Sequence, residues 1–235
     1  MISVIIPIHN EAGTLPRIAA EVERKLRDMG AEYELILCED GSTDGSAEAA
    51  RKLQSGSVRV IISQTRLGRG RSLSDAITAA KGDIVVYMDA DLATDLFYLS
   101  KIISPIKAGA DIATGSRLMV GSKVTGRGFI RDISSKGYNL MLRLLFKTSI
   151  KDHQCGFKAF RRSSVLPLLK EVQNPHWFWD SELLIRAQAK GLKVAEVPIV
   201  WGGRAQSRVN LISDIPEMGF AAIRLRLSMW QAKTF

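Results

Sequence analysis

Four short runs, Ser3–Ile8, Glu34–Cys38, Val58–Ser63 and Asp83–Met88, are largely apolar along their whole length, and one helix-like stretch separates each from the next. A strand with one wet face alternates apolar and polar residues, whereas a strand covered on both faces does not. The spacers are an amphipathic stretch from Thr14 to about Met29, an Ala-rich run from Asp44 to Leu53, and a helical run from Ser72 to Ala80. Asp111–Thr114 reads as a fifth strand. Strands joined through helices cannot pair as tight hairpins, so the pattern predicts an α/β fold: a mostly parallel central sheet flanked by helices. A length of 235 residues suits one large domain, and no repeat, linker or low-complexity tract divides it.

Beyond Gly115 the alternation loosens. A Gly- and basic-rich loop, Gly121 to Arg131, leads into an apolar helix over Tyr138–Phe146. A short segment at Cys155–Phe160 precedes helices near Val165–Val172 and Ser181–Lys190 and a strand at Lys193–Pro198. An apolar helical stretch from Met218 to Trp230 carries Arg224 and Arg226. The expected organisation is one continuous domain over residues 1–210, with residues 211–235 as an amphipathic helical segment.

Composition excludes several classes. An apolar fraction of 46% with 24% charged residues is that of a globular protein, not a disordered one. No apolar run approaches the roughly 18 residues of a membrane-spanning helix. Pro7, Asn10, Glu11 and Gly13 break the pattern of a signal-peptide core. Cys38 and Cys155 make neither a CxxC pair nor a disulfide framework, so a reduced, cytosolic protein is expected. Thirty-three Lys and Arg against 24 Asp and Glu give a net charge of +9, which favours an anionic partner: nucleic acid, a membrane surface or a phosphorylated substrate.

Against that positive balance, three strands end in carboxylates: His9-Asn10-Glu11, Glu39-Asp40-Gly41-Ser42 and Asp89-Ala90-Asp91. Ligands of open parallel sheets bind beyond the carboxyl ends of the strands. Acids gathered on one rim repel unless a cation or a ligand rich in donors joins them. On an extended strand, Asp89 and Asp91 face the same side and reach one cation; the alternative is an acidic turn capping the next helix. Mg²⁺ and Mn²⁺ suit such oxygen ligands and complete their shell with phosphates and water. Gly68-Arg69-Gly70-Arg71-Ser72 lacks the third glycine of a dinucleotide fingerprint and does not follow the first strand. There is no GKS or GKT phosphate loop and no GxSxG elbow, and His9, His153 and His176 are too scattered in sequence for a zinc motif.

The ordered set of these strand ends resembles the inverting family 2 glycosyltransferases of GT-A fold. In the second half, Gly115-Ser116-Arg117, Arg131 with Ser135, Asp152-His153-Gln154-Cys155-Gly156-Phe157-Lys158 and Glu196-Val197-Pro198 resemble the dolichyl-phosphate hexose synthases, over residues 2–210. The Gln-Cys-Gly-Phe-Lys stretch is more similar to the glucose-transferring members and the archaeal transferases of N-glycosylation than to the mannose synthases.

The resemblance implies roles. Pro7, His9, Glu11 and Asp40 line the nucleoside pocket, and Arg69 stands where the family has a basic residue in a Gly-Lys-Gly segment. Asp89, Ala90 and Asp91 hold the ribose and diphosphate, with Asp89 and Asp91 on Mg²⁺ or Mn²⁺. Arg117, Arg131, Ser135 and an offset Arg204 take the phosphate of a polyprenyl or dolichyl phosphate acceptor. The chain departs from the mannose synthases at Ala93, where they carry Gln, which leaves Asp95 or water as a replacement ligand. It departs again at Gly202, an Arg in the family, and at Arg66, usually an Asn before Gly-Lys-Gly.

A hydroxyl acceptor must lose a proton as it attacks and needs a base. A phosphate monoester, with a second pKa near 6, is largely a dianion at neutral pH and is already a nucleophile. Asp180 occupies the position of the base in hydroxyl-transferring relatives; with a phosphate acceptor, positioning or helix capping is the favoured reading. Arg117 and Arg131 suit phosphate through their planar forks. Lys158, Arg161 and Arg162 are candidates to extend the anion-binding surface, with a solvated surface charge the favoured reading for any single one. Leu140, Met141, Leu144, Leu145 and Phe146, and Met218, Phe220, Ile223, Leu227 and Trp230, lie on helices that suit a membrane interface, with core packing the alternative; for the terminal segment membrane or partner contact is the favoured reading. The expected reaction is transfer of a hexose from UDP-glucose or GDP-mannose to the lipid phosphate with inversion, by a peripheral enzyme at the cytoplasmic face of a membrane. A hydroxyl acceptor with Asp180 as base is the alternative. The carboxylate rim argues against nucleic acid.

Overall fold

The structure, a computed structural model, describes residues 1–202 and 213–231. From the first residues the chain alternates strand and helix: β1 (Ile2–Ile8), α1 (Leu15–Asp28), β2 (Tyr33–Asp40), α2 (Ser46–Leu53), β3 (Val58–Ser63), α3 (Arg69–Ala79), β4 (Ile84–Met88), α4 (Tyr98–Lys107) and β5 (Ile112–Ser116). It continues through β6 (Lys123–Thr125), α5 (Phe129–Phe146), β7 (Phe157–Arg161), α6 (Arg162–Leu169), α7 (Trp179–Ala189), β8 (Val194–Pro198), β9 (Val200–Gly202) and α8 (Asp214–Gln231). Seven strands form one sheet in the order β3-β2-β1-β4-β7-β5-β8, parallel except for β7, which runs against both its neighbours. β6 and β9 pair separately as a short parallel ribbon.

The nearly unbroken apolar runs have a direct cause. Val4, Ile6, Leu37 and Val86 point to one face of the sheet and pack under α1 and α4. Ile5, Ile36, Val85 and Tyr87 point to the other, under α3, α6 and α7. Both faces are dry, so both phases of the period-two pattern are apolar. A third cluster joins Tyr138, Leu142 and Phe146 of α5 to Phe178 and Ile185 beside and on α7. Met218, Ala222, Leu225 and Met229 of α8 complete it, so α8 lies against α5.

Several elements differ from expectation. α4 does not stand out in sequence, because Pro105 falls inside its last turn and reads as a break. α5 begins at Phe129, nine residues before the expected Tyr138, so Arg131 and Ser135 ride on a helix rather than in a loop. The Cys155–Phe160 segment contributes the central strand β7, and β6 and β9 are only three residues each. In the helix over Tyr138–Phe146, Tyr138, Leu142 and Phe146 pack into the core, as does Met218 of α8, while Leu140 and Leu144 are exposed. Arg204 lies outside the described residues.

Candidate active site

β1 pairs with β4 only as far as Ile5 opposite Tyr87, but with β2 it continues to Ile8 opposite Glu39. Pro7, which has no N–H to give, lies past the last β4 partner, where the two strands part. The crevice of this sheet opens there. His9 Nδ1–H donates to the Asp40 carbonyl at 2.9 Å, which leaves Nε2 as the acceptor facing the Asn10 amide at 3.4 Å. The Glu11 carboxylate accepts from Thr14 Oγ1 at 2.7 Å, and its backbone N–H donates to Ser46 Oγ at 2.7 Å. Asp40, 4% exposed, accepts the Leu67 and Gly68 backbone N–H groups at 2.6 and 3.0 Å and so fixes the turn into α3. Gly68 has φ +98°, and a Cβ there would sit 2.4 Å from His176 Nδ1.

The geometry of the Asp89/Asp91 pair departs from expectation. β4 stops at Met88, and Asp89-Ala90-Asp91 forms a turn in which the Leu92 N–H reaches the Asp89 carbonyl at 3.2 Å. The two carboxylates therefore have separate surroundings. Asp89 Oδ1 accepts from Arg69 Nη2 and Nε at 2.7 and 3.3 Å, while Oδ2 packs so closely on Gly156 that a Cβ there would lie 1.8 Å away. Asp91 Oδ1 accepts the Ala93 N–H at 3.0 Å. Asp95, the candidate replacement ligand, turns instead to the start of α4 and accepts the Phe97 N–H at 2.7 Å.

Behind Asp89 lies a buried polar network. Arg69, the first residue of α3, bridges Asp89 to Asp180 with Nη1 at 2.7 Å from Asp180 Oδ2, and lies over the rings of Tyr87 and Trp177. Asp180 Oδ1 receives Lys158 Nζ at 2.7 Å and the Tyr87 hydroxyl. Lys158 also donates to the Cys155 and His153 carbonyls at 2.6 and 3.2 Å. The expectation that Lys158 is a solvated surface charge is overturned: it is fully buried on β7, between Phe157 and Ala159. An aliphatic stem flanked by apolar neighbours in a central strand was the available signal. Nor does Asp180 cap a helix, because it sits inside the first turn of α7 and α7 has no side-chain cap. Burial alone would raise its pKa, yet the adjacent Lys158 and Arg69 outweigh that and hold it below the usual carboxylate range.

The residues assigned to the acceptor lie beyond Asp91. Arg117, at the end of β5, gives Nε and Nη2 to the two oxygens of Asp152 at 2.7 and 2.9 Å, and its backbone N–H goes to the same carboxylate. Its fork is thus turned inward, and Asp152 is held well below the usual range despite complete burial. Arg131 faces a different balance: burial and the charge of Arg117 lower its pKa, and Asp91 opposes them. Ser135, one turn further along α5, has a buried hydroxyl with no hydrogen-bond partner among the described residues. Sequence reasoning did not single out Tyr87 or Arg127, and it quoted Asp152 only as part of a motif.

Among the described residues, no group of three or more His, Cys, Asp or Glu side chains converges where it could hold a metal ion. Mg²⁺ and Mn²⁺ do not need such a cage when phosphates are present, since one or two carboxylates plus phosphate oxygens and water suffice. Asp91, with Asp89 across the turn, supplies donors of that kind, so the site fits a cation shared with a bound diphosphate.

The model of "Glycosyl transferase family 2" matches residues 3–168. Glycosyltransferase AglD of Haloferax volcanii is 40% identical over 98% of the chain, which spans only 37% of that protein's length. The dolichyl-phosphate beta-glucosyltransferases of Dictyostelium discoideum and Saccharomyces cerevisiae are 29% and 27% identical over 99% and 97% of the chain, and 77% and 74% of their own. Glucosyl-3-phosphoglycerate synthase of Mycobacterium tuberculosis, solved with Mn²⁺, UDP and phosphoglyceric acid, superposes with a TM-score of 0.70 at 21% identity, covering 97% of this chain and 78% of that one. Mannosyl-3-phosphoglycerate synthase of Rubrobacter xylanophilus gives 0.72 at 18% identity, covering 100% and 76%. The α/β architecture, with its mostly parallel sheet flanked by helices, is the GT-A fold of these structures. By fold, by the matched model and by its relatives, the chain belongs to glycosyl transferase family 2.

Proposed function

We propose that this chain transfers a hexosyl group from a nucleoside-diphosphate sugar to the phosphate of a polyprenyl or dolichyl phosphate, with inversion at the anomeric carbon. The observation that carries the reading is the state of Asp180. A general base works best with a pKa near the operating pH. Asp180 is instead a depressed carboxylate whose two oxygens are occupied by Lys158, Arg69 and Tyr87, a setting that suits a structural role and disfavours proton uptake. An acceptor that arrives already ionised needs no base, and a phosphate dianion meets that condition at neutral pH. The names of the two eukaryotic relatives support dolichyl phosphate as acceptor, glucose as sugar and a β-linked product.

The remaining roles extend this reading. Pro7, His9, Glu11 and Asp40, at and just beyond the carboxyl ends of β1 and β2, would line the nucleoside pocket in the crevice where β1 parts from β4. Asp91, with Asp89, would hold Mg²⁺ or Mn²⁺, which when bound neutralises charge on the departing nucleoside diphosphate. Arg69 keeps Asp89 oriented, and Arg131 with Ser135 faces the acceptor from the first turns of α5. Attack along the line of the breaking bond turns an α-linked donor into a β-linked product.

No described helix is long and apolar enough to cross a membrane. α5 and α8 nevertheless expose Ile133, Leu140, Leu144, Phe220, Ile223, Leu227 and Trp230. Lys136, Arg143, Lys147 and Arg224 are exposed among them. Apolar stripes edged with cations suit the headgroup region of an anionic membrane, where the lipid acceptor resides.

The test is a transfer assay with purified protein, Mn²⁺ or Mg²⁺ and a short polyprenyl phosphate, with labelled UDP-glucose and GDP-mannose side by side. Label entering an organic-extractable, acid-labile product, and lost on chelation, is expected from one donor. Label that reaches only a glycan or alcohol acceptor contradicts the reading and restores Asp180 as base.

A further inference from the structure

An open cleft of about 830 Å³ lies between the β5–β6 connection and α5. Five cations line it, Arg117, Arg127, Lys136, Arg143 and Lys151, against the single acid Asp132. Apolar groups, among them Met119, Phe129 and Leu140, share the wall. Arg117 is committed to Asp152 through both arms of its fork. Arg127, just after the β6 strand, is not so committed. Its side chain is 7% exposed, and its Nε and Nη1 have no hydrogen-bond partner among the described residues. The nearest carboxylate oxygen, Asp132 Oδ1, stands 3.8 Å away, while Asp132 Oδ2 takes Lys136 at 2.6 Å. The guanidinium lies over the ring of Trp201, whose other neighbour is Arg117.

A buried guanidinium with unused donors is costly, and a bound acceptor is one way a folded protein offsets that cost. Burial first, and then the charge of Arg117, push Arg127 down to about 10, although Asp152 and Asp132 oppose them. Arg131 is lowered by the same two causes. Arg117 and Arg127 line the cleft and Arg131 lies near enough to repel both; beside apolar walls they make a receptor for a phosphate carrying a hydrocarbon chain.

We propose that Arg127, with Arg131, binds the phosphate of the acceptor, and that Arg117 is a positioning residue holding Asp152. This rests on the phosphate-acceptor reading above and moves one of its contacts from Arg117 to a residue not assigned from the sequence. The guanidinium of Arg127, over the ring of Trp201, offers its unused Nε and Nη1 N–H groups to phosphate oxygens. The lipid chain then runs along the Phe129 and Leu140 side of the cleft.

The experiment measures binding of geranyl phosphate and of geraniol to wild type, Arg127→Gln, Arg127→Lys and Arg117→Gln by calorimetry, with thermal unfolding of each. Wild type is expected to prefer geranyl phosphate, and Arg127→Gln to lose about tenfold or more of that affinity while geraniol binding is unchanged. Removing an unpartnered buried cation should leave Tm equal or higher, Arg127→Lys should keep part of the preference, and Arg117→Gln should lower Tm by stranding Asp152. If wild type prefers geranyl phosphate and Arg127→Gln binds it equally well, the Arg127 assignment is overturned while the acceptor class stands. If Arg127→Gln and Arg127→Lys both unfold at markedly lower temperature, Arg127 is a structural strut and the proposal is overturned. If wild type does not distinguish geranyl phosphate from geraniol, the acceptor class itself fails and the assignment falls with it.

Discussion

Lys158 on β7 and Asp180 on α7 meet at 2.7 Å with both side chains buried, and through Arg69 this pair is continuous with Asp89 at the mouth of the crevice. The network has two consequences. It holds a carboxylate ionised where a base would be expected, and it fixes the orientation of Asp89 from behind.

Removing one member strands the other. Lys158→Met leaves Asp180 charged, buried and supported only by Arg69 and Tyr87, which should cost roughly 3–5 kcal/mol of stability. Lys158→Met with Asp180→Leu removes both charges and should recover much of that loss in urea unfolding. Equal instability of the single and double variants would mean that the pair contributes through packing alone.

Gly156 is required by proximity. A Cβ would lie 1.8 Å from Asp89 Oδ2, so Gly156→Ala must displace the carboxylate or shift β7. Affinity for a nucleoside diphosphate should fall by an order of magnitude or more with the far-ultraviolet spectrum unchanged, since one misplaced charged hydrogen bond is worth about 1.5–3 kcal/mol. Wild-type affinity in Gly156→Ala would remove Asp89 from the donor site.

His153 sets an acid limit on stability. Burial lowers its pKa to about 4, with Asp152 opposing, against 6.5 for an ordinary histidine. The unfolded chain therefore binds more protons between those values, and stability falls as pH drops from about 6.5 to 4, by up to about 3 kcal/mol. The depressed carboxylates Asp152 and Asp180 add their losses at lower pH, as they titrate below the ordinary carboxylate range. Unfolding free energy measured from pH 7 to 5 should slope in wild type and be flatter in His153→Gln. Identical slopes would place the titration elsewhere.

Vesicle binding should depend on the two exposed stripes. Leu144→Glu with Leu227→Glu places charges on α5 and α8 without touching the crevice. Co-sedimentation with anionic phospholipid vesicles should be lost while nucleoside diphosphate affinity is kept. Undiminished sedimentation would assign these stripes to another contact.

The parallel half of the fold was legible because β1 to β4 are dry on both faces and so leave continuous apolar runs between amphipathic spacers. The strand-end acids were legible for the same reason, since each ends such a run. The arrangement of charges was not. Asp89 and Asp91 share a spacing that suits a strand, but the chain turns at Met88, and their partners come from α3 and from a backbone N–H of the same turn. Lys158 hid among generic basic residues because its acceptor lies 22 positions away on another element. Arg127 hid because its surroundings come from Arg117 and Trp201, on other elements, and no motif encodes donors left unused.

The central claim is that the acceptor is a phosphate and that no protein base takes its proton. The most direct measurement offers the enzyme polyprenyl phosphate and the polyprenol of the same length together, with labelled donor, in wild type and Asp180→Asn across pH 5 to 8. The account requires label in the phosphate product alone, a rate that rises through about pH 6 with the second ionisation of the phosphate, and the same pH profile in Asp180→Asn at whatever activity it retains. Label in the polyprenol product, or an ionisation in the wild-type profile that vanishes in Asp180→Asn, would contradict it.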